Sequence, residues 1–465
     1  MSEGPEFPEA SEVQRKLDAD TEAMRSQPHL GVYEKYFVLA GQAGRVANIW
    51  VQGKQSKEAQ ARYKVLQETL NNGFFIRKIE EARSPEVSLI TETKLSTKQR
   101  QVIEEILSSV TDQAGRALVD ILILQLVIKT ICPEQDIRLH KGSSNNNAFS
   151  WAEGISMRSL DGHYIVPLLR QYDLLHMNKD GAYMTRSFAE NYPYTLFYKA
   201  EIRGAKRQGK QRWLEVVDDL ENGRLDAEAA LLYVLQLLWS YSDAFNALAR
   251  KTLDTLGTWI QNSGPLSLAR VTGLIKQHFE KSETKARLLE VAIHALLQAQ
   301  DELMVDSGGR LKPLMPMRTG NKKHGNIGDV EVLAGDLVVE AWDAKYDQPY
   351  LGDAIDELAE KIRLLHISDL QFGYILYPVR KVYSEVERKI DEIEEEFGIK
   401  VHILTLDEWV HEQFLRSQIA GITERELAEG WLRAYTESLC LRRRDKAPID
   451  EPTFIWIELL LGILT

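Results

Sequence analysis

Residues 325–346 read GNIGDVEVLAGDLVVEAWDAKY. Two apolar alternations, Asp329–Leu333 and Leu337–Trp342, flank an Ala-Gly-Asp triplet, which predicts a β-hairpin. In an extended strand, residues i and i+2 point to the same face, so Asp343 and Lys345 project together. A tight turn at Ala334–Asp336 would fold Asp329 back beside them. Two carboxylates and one ammonium are then expected at one corner of a sheet. Asp-x-Lys alone also describes an ordinary surface ion pair, worth about 0–1 kcal/mol. The chemical reading rests on a coincidence of features. A Gly-Asp precedes the first strand, the spacing permits a hairpin, and Asp343 follows a run, Leu337–Trp342, interrupted only by Glu340.

Downstream of the hairpin, helical and extended patterns alternate. Tyr350–Leu365 predicts a helix, Phe372–Tyr377 a strand, Val382–Phe397 a charged amphipathic helix and Val401–Thr405 a strand. Helices over Leu406–Ile419 and Glu424–Leu441 follow. This alternation implies a compact α/β unit over roughly 270–415. Upstream, LMVDSGGRLKPLMPM suggests a strand, a Gly-Gly turn and a loop. Residues 211–300 carry long helical patterns, in Ala227–Leu256 and Lys285–Leu303. Residues 132–215 are rich in Gly, Asn, Ser and aromatics, which predicts turns and short strands. Residues 31–131 follow helical spacing, with Tyr33, Tyr36, Phe37 and Ala40, then Val46, Ile49 and Trp50, at three- and four-residue steps. Ser96 marks a helix start and Pro133 an end. Residues 1–30 are polar and Pro-containing, which predicts a loose arm.

The fold expected is mixed α/β. It has a helical amino-terminal region (1–131), a mixed recognition and helical region (132–270), an α/β core (271–415) and carboxy-terminal helices packed on that core (416–465).

The chain has 465 residues, 44% of them hydrophobic and 27% charged, which suits a folded protein of two or three domains. Its net charge of −12 excludes a uniformly basic nucleic-acid coat but not a local basic groove. Two cysteines, Cys132 and Cys440, are too few for a disulfide framework. The amino terminus lacks a secretory pattern, and the apolar stretches Ile121–Ile128 and Phe454–Leu464 suggest buried helices rather than membrane spans. A cytoplasmic location is expected. Phosphate-loop, nucleophile-elbow and HExxH motifs are absent from the sequence. The histidines His140, His163, His176 and His324 lack metal-ligand spacing and are expected in turns or solvent.

Phosphodiester hydrolysis can use the hairpin's set. Two carboxylates bind a hard ion such as Mg²⁺ through oxygen. The bound ion lowers the pKa of a water and neutralises charge building on the phosphate. Lys345 would orient the attacking water and add positive charge in the transition state.

The segment resembles the PD-(D/E)xK nuclease signature, in which an Asp starts one strand and a (D/E)-x-K ends the next. More specifically, the chain resembles the SacI-type type II restriction endonucleases. The shared stretches are Ala148-Phe149-Ser150 with Val166-Pro167, the Asn191-Tyr192-Pro193-Tyr194 turn, and Gly328-Asp329-Val330 with Val339-Glu340 and Lys345. They run through about 145–350. The resemblance implies Mg²⁺-dependent, sequence-specific cutting of double-stranded DNA, host defence, a separately encoded methyltransferase and a homodimer on a palindromic site. It departs from the family in two places. Gly328 stands where Pro is usual, which should matter little if only a turn is needed. The relatives carry a Glu four residues before the lysine, whereas here Glu340 lies five before it and Asp343 two before. Strand parity favours Asp343, and a bulge would reverse that assignment. Such cores often carry a further acid on a preceding helix, for which Glu290 is the candidate. Glu331, on the strand face of Asp329, is another candidate ligand.

DNA recognition needs phosphate contacts for affinity and base contacts for specificity. Arg203, Lys206, Arg207, Lys210 and Arg212 form a local basic run, and Arg318, Lys322, Lys323 and His324 precede the hairpin. Asn145, Asn146, Asn147, Arg158 and Arg186 have the chemistry to read base edges. Two other readings stand beside a restriction enzyme: a modification-dependent or structure-specific nuclease of the same core, and a DNA-binding protein whose hairpin has lost its chemistry.

Overall fold

The computed structural model describes residues 29–32, 36–40, 46–108, 113–140, 151–176, 182, 193–196, 207–304, 309–314, 326–348, 351–365, 370–378, 382–445 and 452–465. They form two compact units, Met1–Asp243 and Ala244–Thr465. The protein is mixed α/β and mostly helical. Among the described residues no helix is long and apolar enough to cross a membrane.

The first unit opens with an antiparallel sheet of β1 (His29–Val32), β2 (Tyr36–Ala40) and β3 (Val46–Val51). The helical reading of Tyr36–Ala40 and of Val46–Trp50 is therefore corrected, while Tyr33 lies outside the described residues. These runs of five or six residues are too short to define a period, and their Tyr, Phe, Val, Ile and Trp favour a pleated surface. Helices follow: α1 (Lys57–Asn71), α2 (Phe74–Glu81), α3 (Glu86–Lys94), α4 (Thr97–Leu107) and α5 (Gln113–Ile131). Ser96 does start α4. It accepts the Gln99 N–H while the Gln99 side chain accepts the Ser96 N–H, a closed capping box. Helix α5 is apolar on all sides, and Leu118–Ile128 is buried throughout. Residues 132–215, expected to hold turns and short strands, do hold turns in their described part. In place of strands that part has isolated bridges at Trp151 and at His140 with Ile155, then α6 (Met157–Leu160), a π-turn over Asp161–Ile165 and α7 (Val166–Gln171). Pro167 sits at the start of α7, where a missing N–H costs nothing. His140 and His176 are buried rather than solvent-facing. Helix α8 (Arg207–Glu221) completes the unit's packing, and α9 (Ala227–Asn262) carries the boundary between units.

The second unit is a five-stranded mixed sheet between two helical layers. Its order is β4 (Arg310–Leu311), β5 (Val330–Ala334), β6 (Leu337–Tyr346), β7 (Gln371–Tyr377) and β8 (Val401–Thr405). Strands β4 to β6 are antiparallel, and β6 to β8 are parallel. Parallel neighbours need crossovers, supplied by α12 (Gly352–Leu365) and α13 (Ser384–Phe397). Those helices cover one face, burying Ala341, Phe372, Tyr374 and Leu376. The other face carries Val330, Trp342 and Ile375. It packs with α10 (Leu268–Lys281), α11 (Lys285–Leu303), α14 (Leu406–Ile419), α15 (Glu424–Asp445) and α16 (Thr453–Leu464). The apolar tail is thus a buried-face helix. At the centre, a Cβ on Gly373 would meet the Trp342 ring at 2.3 Å, so only glycine leaves room for that indole. Trp342 in turn meets Trp409 edge-on, with centroids 5.7 Å apart.

Candidate active site

The hairpin forms as the sequence predicts, with Ala334 opposite Leu337 and Gly335 left-handed at φ 62°. Asp329 sits just before β5, where its N–H donates to the Trp342 carbonyl at 2.9 Å. Its Oδ2 accepts the Ala344 N–H at 3.0 Å. Asp343, 7% exposed, accepts the Lys345 ammonium on Oδ1 at 2.9 Å. Asp329, Asp343 and Lys345 therefore meet on the α12 face of the sheet.

The electrostatics follow from that crowding. Asp329 is held well above the ordinary carboxyl range. Desolvation leads, followed by the charges of Asp343 and Glu290 and a hydrogen bond with Asp343, while Lys345 works the other way. Burial pulls the Lys345 ammonium down, but Asp343, Asp329 and Glu357 outweigh it and raise its pKa. Lys345 also lies over the Tyr374 ring, 5.6 Å from the centroid, while the Tyr374 hydroxyl donates to the Ala354 carbonyl at 2.8 Å.

Register separates Asp343 from Glu340, the alternative carboxylate. A bulge does occur, between Val332 and Leu333, but it lies on the turn side of Glu340. The parity between Glu340 and Asp343 is therefore kept. Glu340 accepts the Trp342 indole N–H at 2.6 Å and Arg416 at 2.9 Å, on the opposite face.

Glu331 is on the expected face but has another task. Its Oε1 accepts the backbone N–H groups of Ile327 at 2.6 Å and Gly328 at 3.3 Å, and its Oε2 accepts Lys312 at 2.6 Å. Lys312 also holds Asn326 at 2.6 Å, and the buried Lys361 donates to the Ile327 carbonyl at 3.3 Å. Glu331 thus ties the turn that delivers Asp329. Gly328 proves more than a turn former, because a Cβ there would meet the Trp342 carbonyl oxygen at 2.9 Å. Glu290, on α11, is ion-paired with the buried Arg287. Its charge acts on Asp329, but it does not join the two aspartates as a third ligand. Among the described residues no three His, Cys, Asp or Glu side chains gather closely enough to hold a metal ion.

Lys312, Lys361 and Glu357 were not singled out from the sequence. Lys361 left a signal, a charged residue on the apolar stripe Ile355, Leu358, Ile362 of α12. Lys312 and Glu357 left none.

Most expected DNA contacts lie outside the described residues: Asn145, Asn146, Asn147, Arg186, Arg203, Lys206, Arg318, Lys322, Lys323 and His324. Arg207 is the first residue of α8, and Lys210 is half-buried in the same helix. Arg158 is exposed on α6. Arg212 is committed to Glu105 at 2.6 Å and Glu215 at 2.8 Å, which removes it as a free phosphate contact.

No protein-family model matches the chain, and no curated protein is significantly similar to it. The reading of the site therefore stands on its geometry.

Proposed function

We propose that this chain is a Mg²⁺-dependent nuclease of the PD-(D/E)xK kind, hydrolysing phosphodiester bonds in double-stranded DNA. One observation carries the reading: Asp343 and Lys345, 2.9 Å apart on one strand, share a sheet face with Asp329, whose carboxyl is pushed up by burial and by the neighbouring acids. Two crowded carboxylates favour a proton or a cation between them. Their oxygen donors suit a hard divalent ion. Two protein carboxylates, with water and phosphate oxygens completing the shell, is a usual arrangement for Mg²⁺. Asp329 and Asp343 would hold it, and when bound it supplies an acidified water and charge neutralisation at the phosphate.

The chain's own residues do the remaining work. The Ala344 N–H fixes the Asp329 carboxylate, and the Glu331 network fixes the turn before it. Lys345 keeps its proton beside the acids. It presents that charge to a phosphate oxygen, where an ammonium stabilises the transition state more than the ground state. Assignment to type II restriction enzymes, with a homodimer, a separate methyltransferase and a cytoplasmic role in defence, rests on the resemblance over about 145–350.

The test is incubation of the purified protein with unmethylated phage DNA and Mg²⁺, with the ends of any products sequenced. Discrete bands with one end sequence support the restriction reading. Cutting only of methylated DNA moves the chain to a modification-dependent nuclease. DNA binding without cutting under any divalent ion would overturn the catalytic reading.

A further inference from the structure

In the second unit most described lysines and arginines are neutralised by a carboxylate. Lys276 pairs with Asp407, Lys285 with Glu280, Lys312 with Glu331, Arg363 with Glu396, Lys389 with Asp356 and Arg416 with Glu340. A groove of about 820 Å³ along the second half of α9 departs from this pattern. It is lined by Arg250, Lys251 and Arg270, with Asp254, Trp259 and Asn262 between them. Among the described residues none of these three cations is ion-paired, and all three are exposed.

The two arginines are held in place without being neutralised. The Arg270 guanidinium stacks on Trp259, 4.9 Å from the centroid, and donates to the Ser263 carbonyl at 2.6 Å. Arg250 donates Nε to the Asn246 carbonyl at 3.2 Å. A carbonyl or a ring fixes an arginine's direction and leaves its charge and remaining N–H groups available, the form suited to phosphate oxygens. From Arg250 to Asn262 the helix advances about 18 Å at 1.5 Å per residue. That is the axial length of about five phosphates of one DNA strand.

The geometry points to this groove as a sequence-independent contact for the phosphate backbone of the DNA duplex. The inference rests on the nuclease reading and adds a binding surface outside the cleavage site. In a chain of net charge −12, an unneutralised basic groove attracts a polyanion that the rest of the surface repels. Asp254 at its centre keeps the contact modest.

The experiment measures binding of the full-length protein to a fluorescently labelled duplex of arbitrary sequence in Ca²⁺, across a salt series. Arg250→Ala/Lys251→Ala/Arg270→Ala should weaken binding about tenfold or more and reduce the salt slope by up to about 2.7, at about 0.9 per lost phosphate contact. The single charge reversal Lys251→Glu should act in the same direction, which keeps the test open if the triple variant folds poorly. Arg388→Ala/Lys400→Ala is the control for loss of charge elsewhere. An unchanged salt slope in the groove variants overturns the groove while leaving the nuclease reading intact. An equal loss in the control also overturns it, because the effect is then one of net charge. Absence of duplex binding by the wild-type protein overturns both readings.

Discussion

Lys345 Nζ stands 2.9 Å from Asp343 Oδ1, two residues back along the same strand, with the Asp329 carboxyl as their common neighbour. A surface ion pair would have its charges in water. This one is largely buried, beside a second acid that burial and like charge push towards its protonated form.

Lys345→Ala should bind metal and duplex DNA and fail to cut. With Mg²⁺ it should behave as the wild type does with Ca²⁺, which binds hard oxygen sites and often fails to support the chemistry. Lys345→Arg should rescue poorly, since a planar guanidinium replaces a compact ammonium badly. Gel-shift and cleavage assays on one duplex decide this, and near-wild-type cutting by Lys345→Ala would remove the lysine from the mechanism.

Asp343→Ala and Glu340→Ala should differ sharply. On the proposed mechanism the first removes a metal ligand and should abolish cleavage while DNA binding persists. The second leaves the Trp342 indole and Arg416 without their acceptor. It should cost about 1–3 kcal/mol of stability, with cleavage kept within about tenfold. A dead Glu340→Ala beside an active Asp343→Ala would reverse the assignment.

Glu331→Ala should lower the melting temperature as well as the rate, because it frees two backbone N–H groups and leaves Lys312 without its buried partner, a loss of about 3 kcal/mol. Excess Mg²⁺ should not restore activity. If instead the stability is unchanged and high Mg²⁺ rescues the rate, Glu331 is a metal ligand after all.

Gly328→Ala should inactivate by displacing Asp329, since its Cβ meets backbone that cannot swing away. Gly373→Ala drives a methyl into the Trp342 ring and should cost about 1–3 kcal/mol, read by denaturant unfolding. A stable, active Gly328→Ala would show that a turn is all the position requires.

In the first unit, Asp120 and Asp161 are wholly buried and both accept the Ala182 N–H at 3.1 Å. Burial pushes Asp161 up to about 7, and burial with the Asp161 charge pushes Asp120 well above the ordinary range. The folded state therefore holds protons that the unfolded chain releases above about pH 4. Stability should fall as pH rises from that point through about 7. Asp161→Asn keeps an acceptor for Ala182 and loses the titration, so its melting temperature should decline less between about pH 5 and pH 8. A decline parallel to the wild type would rule Asp161 out as its source.

The alternation after the hairpin was legible because its helices, 14 residues each, show their period and bound the short strands between them. Val401–Thr405 and Leu406–Ile419 occur where the sequence predicts them. Tyr36–Ala40 and Val46–Val51 were not legible, since a five- or six-residue apolar run fits either period until it finds a partner strand. Period-two parity placed Asp343 and Lys345 on one face and Glu340 on the other, whereas Asp329 joins the first pair because the bulge between Val332 and Leu333 shifts the register of β5 against β6. Parity is a property of the backbone and needs no knowledge of the surroundings. It also put Glu331 with the acids, and there the tertiary structure decided otherwise. Lys312 from the neighbouring strand's end and the N–H groups of Ile327 and Gly328 engage its oxygens. Glu290 was likewise placed on the correct helix, while the position of Arg287 one turn earlier determines what its carboxylate pairs with. A sequence specifies which face a side chain takes. Which groups arrive on that face from elsewhere in the chain, and so whether a carboxylate is left for a metal or consumed by a hydrogen bond, depends on long-range packing that no local pattern encodes.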